Sequence, residues 1–389
     1  MNNKKTPIIF IICYMAYTAI YIARLNLSQA SPGMLEANLL DKAQVGMLGS
    51  VFSVVYAIGR LINGGISDRK APWIMICTGL IITSVSNIII GLFPPFIGIL
   101  LLWGCNAFAQ SMLWSSILRI VSHIYPEEAA KKKTSYMVTS VAAGNILGIV
   151  INTYIINKFG LRFAFIIPGA ITLVLSTLVL LSTHGIKIDN NAVKEKKSML
   201  DLFHDMRIKT ILAPAMFHGM MKDNISLWMT VIFVDRYGIN LTSSAYFVLF
   251  IPILGFVGRM IYPLCYKLCK ENEHRVSIFG FIACALFSIP LIFELVPPVA
   301  AAVCLSLIYT AVSIINTSIL SIFPIRFVYC GKVASVSGIM DFATYLGAGL
   351  SSLIYGVLIK YFGYSPMFIS WALISVISAI CLKKINYAD

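Results

Sequence analysis

Charge is what this chain has least of. Asp, Glu, Lys and Arg make up 12% of its 389 residues, about half of what a soluble domain carries. With 59% hydrophobic residues, the composition excludes a soluble globular domain of this size. Acidic residues are the scarcer sign, 16 against 30 Lys and Arg. Phosphate-cradling glycine loops, Ser/His/Asp constellations and metal-ligand clusters are absent from the sequence. Those absences argue against an enzyme, and no metal or cofactor is expected. The nine cysteines follow no disulfide or zinc spacing. Cys265 and Cys269 stand one helical turn apart but lack further partners, so all nine read as small packing residues. The short alternating segments of a membrane β-barrel are missing as well.

Long apolar runs are what the chain does have, with a mean hydropathy of +0.86. Twelve spans can be counted, over 7–30, 44–66, 72–93, 95–122, 134–157, 161–182, 209–235, 243–268, 274–296, 298–323, 332–358 and 362–384. The expected fold is an all-α membrane protein of twelve transmembrane helices in two pseudo-symmetric six-helix bundles. The first bundle covers 1–182 and the second 209–389. A cytoplasmic linker over 183–208, centred on Lys194-Glu195-Lys196-Lys197, joins them. Pro94-Pro95 and Pro297-Pro298 mark tight outer turns at matching places in the two halves. Lys4 and Lys5 before an apolar run mimic a signal peptide, but that run is long and many spans follow it.

A net charge of +14 suggests nucleic acid, but its distribution does not. Basic residues crowd alternate loops, as at Arg69, Lys70, Lys131, Lys132, Lys133, Lys196 and Lys197. The opposite loops hold only Lys42, Lys158, Arg162, Arg236 and Lys360. This asymmetry predicts a multi-pass protein of the cytoplasmic membrane with both termini cytoplasmic. The expected partners are a small anionic substrate and the bilayer, with no nucleic acid, and a monomer is expected.

Landmarks repeat between the halves. Gly59-Arg60-Leu61-Ile62 recurs as Gly258-Arg259-Met260-Ile261, an offset of 199 residues, and Arg24 corresponds to Lys222 at an offset of 198. Two six-span halves with a nearly common offset are the mark of a transporter built from parallel repeats. After the second span, Gly64-Gly65-Ile66-Ser67-Asp68-Arg69 resembles the Gly-x-x-x-Asp-Arg signature of the major facilitator superfamily. Gly64, Asp68 and Arg69 are therefore expected to serve gating, the glycine by close helix approach and the ion pair by bonds that break on rocking.

Five cations lie well within the spans: Arg24, Arg60, Arg119, Lys222 and Arg259, with only Asp223 and Asp341 as clear acids. Arg119 and Arg259, near a span end, are expected to snorkel to headgroups. Arg24 and Lys222 lie deeper, on the first helix of each half, and such residues mark substrate pathways. Arg24, Asn26 and Gln29 are expected to face a water-filled cavity. Paired cations there favour an anion, which arginine binds bidentately and lysine as a point charge. Tyr17 and Tyr21 share the helical face of Arg24 and offer hydroxyl donors, or else simply pack. His218, one turn before Lys222, either titrates, touches substrate or packs neutral. Asp341 either balances Lys222 or couples transport to protons.

These residues resemble the organophosphate:phosphate antiporter family, which includes the glycerol-phosphate and hexose-phosphate carriers. The likeness rests on Tyr17-x-x-x-Tyr21-x-x-Arg24-x-Asn26, on Gln110-x-Met112-x-Trp114-x-x-x-x-Arg119, and on Tyr345-Leu346-Gly347 with Gly349. It implies a substrate phosphate held between the first and seventh spans, and alternating access by rocking of two bundles. Arg60 falls at the family's cavity-mouth lysine, and Tyr309 and Tyr345 match its cavity tyrosines. The family's span-seven arginine is here Lys222, aligned through Trp228. Its span-five histidine falls at Gly144, beside Asn145. Asp341 replaces a small residue of the glycerol-phosphate carriers. The resemblance implies a secondary transporter of a small organic anion such as a sugar phosphate or glycerol phosphate, with exchange for inorganic phosphate as one option. A receptor that binds such an anion and signals to a partner is the alternative, as is a proton-coupled carrier of another organic anion. A proton-coupled exporter of drugs or cations would want a central acid in the first bundle, and the sequence has none there.

Overall fold

The computed structural model describes residues 6–184, 205–293, 296–330 and 333–383. Within them, side chains at 64, 65, 68, 69, 127, 128, 131, 132, 135, 328–330 and 333–335 are not described. Helices joined by short turns make up the described residues, and no strand occurs among them. In the first half these are α1 (Thr6–Glu36), α2 (Lys42–Arg69), α3 (Pro72–Ile90), α4 (Phe96–Ser111), α5 (Leu113–Ile124), α6 (Glu127–Phe159) and α7 (Phe163–Thr183). In the second half they are α8 (Met206–Val231), α9 (Leu241–Leu268), α10 (Glu273–Ile292), α11 (Pro298–Asn316), α12 (Val333–Phe362) and α13 (Ser365–Lys383). Most of the linker expected over 183–208 lies outside the described residues.

Among the described residues, eleven of the expected spans are long and apolar enough to cross a bilayer. The seventh, α8, carries Arg207, Lys209, Lys222 and Asp223, and those charges dilute its hydropathy. The fourth span is α4 and α5, meeting at Met112. There the Ser111 hydroxyl donates to the Phe108 carbonyl at 2.6 Å and Asn63 Nδ2 donates to Ser111 Oγ at 2.7 Å. Side chains that compete for backbone groups in this way interrupt a helical ladder.

The chain divides into two compact units, Met1–Leu40 with Val55–Glu195, and Asp41–Val54 with Lys196–Asp389. The N-terminal segment of α2 thus belongs with the second unit. Its Gly46 meets Gly356 of α12 so closely that a Cβ on Gly46 would stand 2.7 Å from Gly356 Cα. Inside the first unit α1 packs on α6 and α7, and α3 on α4 and α7. Inside the second, α8 packs on α12 and α13, and α10 on α11 and α13. The same four pairings recur, as the repeated sequence landmarks require.

Polar side chains hold these bundles from within. Asn26 Nδ2 donates to Asn87 Oδ1 at 2.7 Å, tying α1 to α3, and Asn224 Nδ2 donates to Ser351 Oγ at 2.8 Å, tying α8 to α12. Asn26 and Asn224 each lie two residues after Arg24 and Lys222 and are fully buried. In an apolar surround an amide must find its partners within the protein. Asn26 and Gln29 therefore do not face a cavity as expected. Both are fully buried, and Gln29 Oε1 accepts from Thr153 at 3.3 Å. Two residues of α-helix turn a side chain by about 200°, which carries Asn26 away from the face of Arg24.

Candidate functional site

In the first unit the site is built on α1. Helical spacing of three and seven residues stacks Tyr17, Tyr21 and Arg24 on one face. Tyr17 and Tyr21 meet edge-on with ring centroids 5.6 Å apart, and Tyr17 lies 4.9 Å from the ring of Trp114 on α5. The Arg24 guanidinium carbon stands 4.7 Å from the Tyr21 ring centre and 4.8 Å from that of Tyr56 on α2. Its Nε donates to Gln110 Oε1 of α4 at 2.9 Å. Gln110 in turn donates from Nε2 to Asn106 Oδ1 at 3.1 Å, and both amides are fully buried. Arg60, half-buried on α2, is within electrostatic reach of Tyr17.

The result is a guanidinium whose Nε is held by a neutral acceptor and which two aromatic rings flank. Cation–π contact restrains the plane without removing the charge. Tyr56 and Gln110 are functional neighbours of Arg24 that the sequence reading did not place in the site. Tyr56 had a signal, one helical turn before Arg60, and Gln110 stood in the span-four pattern.

The position of the family's histidine has a structural answer. Gly144 of α6 packs against α1, where an added Cβ would stand 2.5 Å from Tyr21 Cβ and 2.8 Å from the Thr18 carbonyl. This close helix contact leaves no volume for an imidazole. Asn145 beside it is half-buried.

In the second unit the cation is Lys222. Its Nζ lies 3.4 Å from Asp223 Oδ1 and 5.1 Å from the centre of the Tyr345 ring on α12. The structure thus gives Lys222 a carboxylate from its own helix. His218 is fully buried, within electrostatic reach of Lys222 and of Arg259 on α9. The Val312 carbonyl of α11 lies beside it, outside good hydrogen-bond geometry. Tyr309 is buried against Gly255 of α9, and Asp341 is half-buried on α12. The α8–α12 contact that sets these positions rests on Gly219 and Gly347, each of which faces backbone of the other helix, at Thr344 and Met216.

One cation expected to snorkel has backbone partners instead. Arg119 turns to the end of α2, where its Nη1 donates to the Ser67 carbonyl and, at 3.1 Å, to that of Lys70. The last carbonyls of a helix lack partners within it, and an arginine supplies them. Arg259 keeps its Nε buried without a hydrogen-bond partner among the described residues. Gly64, Asp68 and Arg69 lie on α2, but their side chains fall outside those described, and so does the expected gating contact.

The sequence profile of the Major Facilitator Superfamily matches residues 9–350. The chain belongs to that superfamily. Among its relatives is the probable hexose phosphate transport protein of Chlamydia muridarum, 31% identical over 172 residues, or 44% of this chain and 38% of that protein. The glycerol-3-phosphate transporter of Haemophilus influenzae is 30% identical over 178 residues, 45% of this chain and 33% of that protein. The matches thus span less than half the length of these relatives. The nucleoside transporter NupG has the same fold, with a TM-score of 0.79 at 13% identity over 99% of this chain and 100% of that one.

Proposed function

We propose that this chain is a secondary transporter that carries a small organophosphate, a sugar phosphate or glycerol phosphate, by alternating access. The observation that carries the reading is Arg24, a membrane-embedded guanidinium oriented by Gln110 and flanked by Tyr21 and Tyr56. A planar fork of N–H donors matches two oxygens of a phosphoryl group. Lys222 is the corresponding cation of the second unit and is proposed as the second contact to the anion. Arg60, Tyr17, Tyr21, Asn145, His218, Tyr309 and Tyr345 are proposed to complete the binding residues. Asp341 is proposed for charge balance, and Gly64, Asp68 and Arg69 for gating. Relatives named for hexose phosphate and glycerol 3-phosphate support the substrate class.

An anion that neutralises a desolvated cation recovers part of the cost of burying it. Such a carrier moves more easily loaded than empty, which favours exchange, with inorganic phosphate as the counter-substrate. The test is counterflow of labelled glucose 6-phosphate and glycerol 3-phosphate in liposomes holding the purified protein. Uptake that depends on trapped phosphate and is lost in Arg24→Ala is expected. Binding without uptake would instead mark a sensor, and uptake unchanged in Arg24→Ala would place the site elsewhere.

A further inference from the structure

Asn106 and Gln110 stand one helical turn apart on α4, and both are fully buried. The Gln110 amide has two ends, and Asn106 decides which way they point. Because Nε2 donates to Asn106 Oδ1 at 3.1 Å, Oε1 is turned toward Arg24 Nε, 2.9 Å away. Glutamate has the shape of glutamine and accepts the same hydrogen bond, yet it would cancel the charge of the guanidinium. An amide orients the group and does not offset its charge.

We propose that Gln110, aimed by Asn106, is the positioning residue of Arg24: it fixes the guanidinium for an incoming oxyanion and, being neutral, keeps that cation strong. The proposal rests on the reading of Arg24 as the phosphoryl contact. It makes a counterintuitive ranking of variants. If Gln110 only fills space, Gln110→Glu is milder than Gln110→Leu, because it keeps volume and an acceptor. If the neutrality of Gln110 matters to Arg24, Gln110→Glu is the worse of the two.

The experiment is calorimetric titration of the full-length protein in nanodiscs with inorganic phosphate, sulfate and glucose 6-phosphate, using variants that keep the wild-type melting temperature. Expected are about 5–20-fold weaker binding in Gln110→Leu, the loss of one oriented hydrogen bond's worth, and a larger loss in Gln110→Glu. In an Arg24→Lys background, which has no Nε to hold, Gln110→Leu should change affinity less than about twofold, whereas independent roles would add. A milder Gln110→Glu, or an undiminished effect in that background, overturns the proposal. If wild type binds inorganic phosphate but not glucose 6-phosphate, the substrate assignment fails and the ranking is read with inorganic phosphate. If wild type binds none of the three anions, both fail.

Discussion

Replacing Arg24 by lysine keeps the charge and removes the geometry. The lysine ammonium has no Nε donor, so the 2.9 Å bond to Gln110 goes. It also has no planar face to lie against Tyr21 and Tyr56, whose ring centres are 4.7 and 4.8 Å from the guanidinium carbon. A bidentate phosphoryl contact then becomes a single one. Losing one hydrogen bond to a charged group costs about 1.5–3 kcal/mol, which is roughly a 10- to 150-fold rise in Kd. Arg24→Ala removes the charge as well, and the loss of one partner of a buried charge pair costs about 3–5 kcal/mol. Isothermal titration of glycerol 3-phosphate into purified protein measures both. A Kd for Arg24→Lys within about twofold of wild type would show that charge alone suffices. The bidentate argument would then be wrong.

Gly219→Ala drives a methyl group into the Thr344 backbone, which cannot move as a side chain would; a loss of about 1–3 kcal/mol in stability is expected, read as a lower melting temperature. Asp68→Asn should slow counterflow and leave equilibrium binding nearly intact, and an equal loss of binding would place that residue in the site. Reporter fusions at residues 195 and 389 should both report cytoplasm, and an external signal at either would refute the topology. At the start of α2, Asp41 accepts from Lys360 Nζ at 2.9 Å and caps Gln44 N at 2.9 Å. Partial burial works to raise its pKa, but the Lys360 and backbone hydrogen bonds outweigh that and hold the carboxyl below its ordinary value. A carboxyl lowered in the folded state stabilises above its unfolded pKa and loses that contribution as pH falls through the folded one. Melting temperature should therefore drop below about pH 4, and more steeply in wild type than in Asp41→Asn.

The helices and the repeat were legible because each rests on signals local in sequence. Apolar runs set the spans, and Arg60 with Arg259 announced the two-fold repeat. Tyr17, Tyr21 and Arg24 were legible for the same reason, being one helical face. What could not be read was any contact that joins distant segments. Gln110 reaches Arg24 across 86 residues, and Arg119 finds the Ser67 and Lys70 carbonyls only because α5 runs beside the end of α2. Hydropathy ranks a polar residue as out of place in a membrane but does not say what satisfies it. That is why Asn26 and Gln29, read as cavity residues, proved to be bonds between helices.

The two halves share one pattern and differ at its centre. Each first helix places a cation, then two residues later a fully buried asparagine that ties it to a neighbour. The asparagine serves packing in both. The cation's neighbour differs. Arg24 has an amide, which takes one N–H and carries no charge, whereas Lys222 has the Asp223 carboxylate at 3.4 Å, which offsets it. An anion arriving at Lys222 must compete with the carboxylate already in place. Coulomb energy between neighbours in a medium of low dielectric makes that competition costly. Asp223→Asn should therefore tighten binding of glycerol 3-phosphate in the same titration, and unchanged or weaker binding would mean that Asp223 does not compete with the substrate.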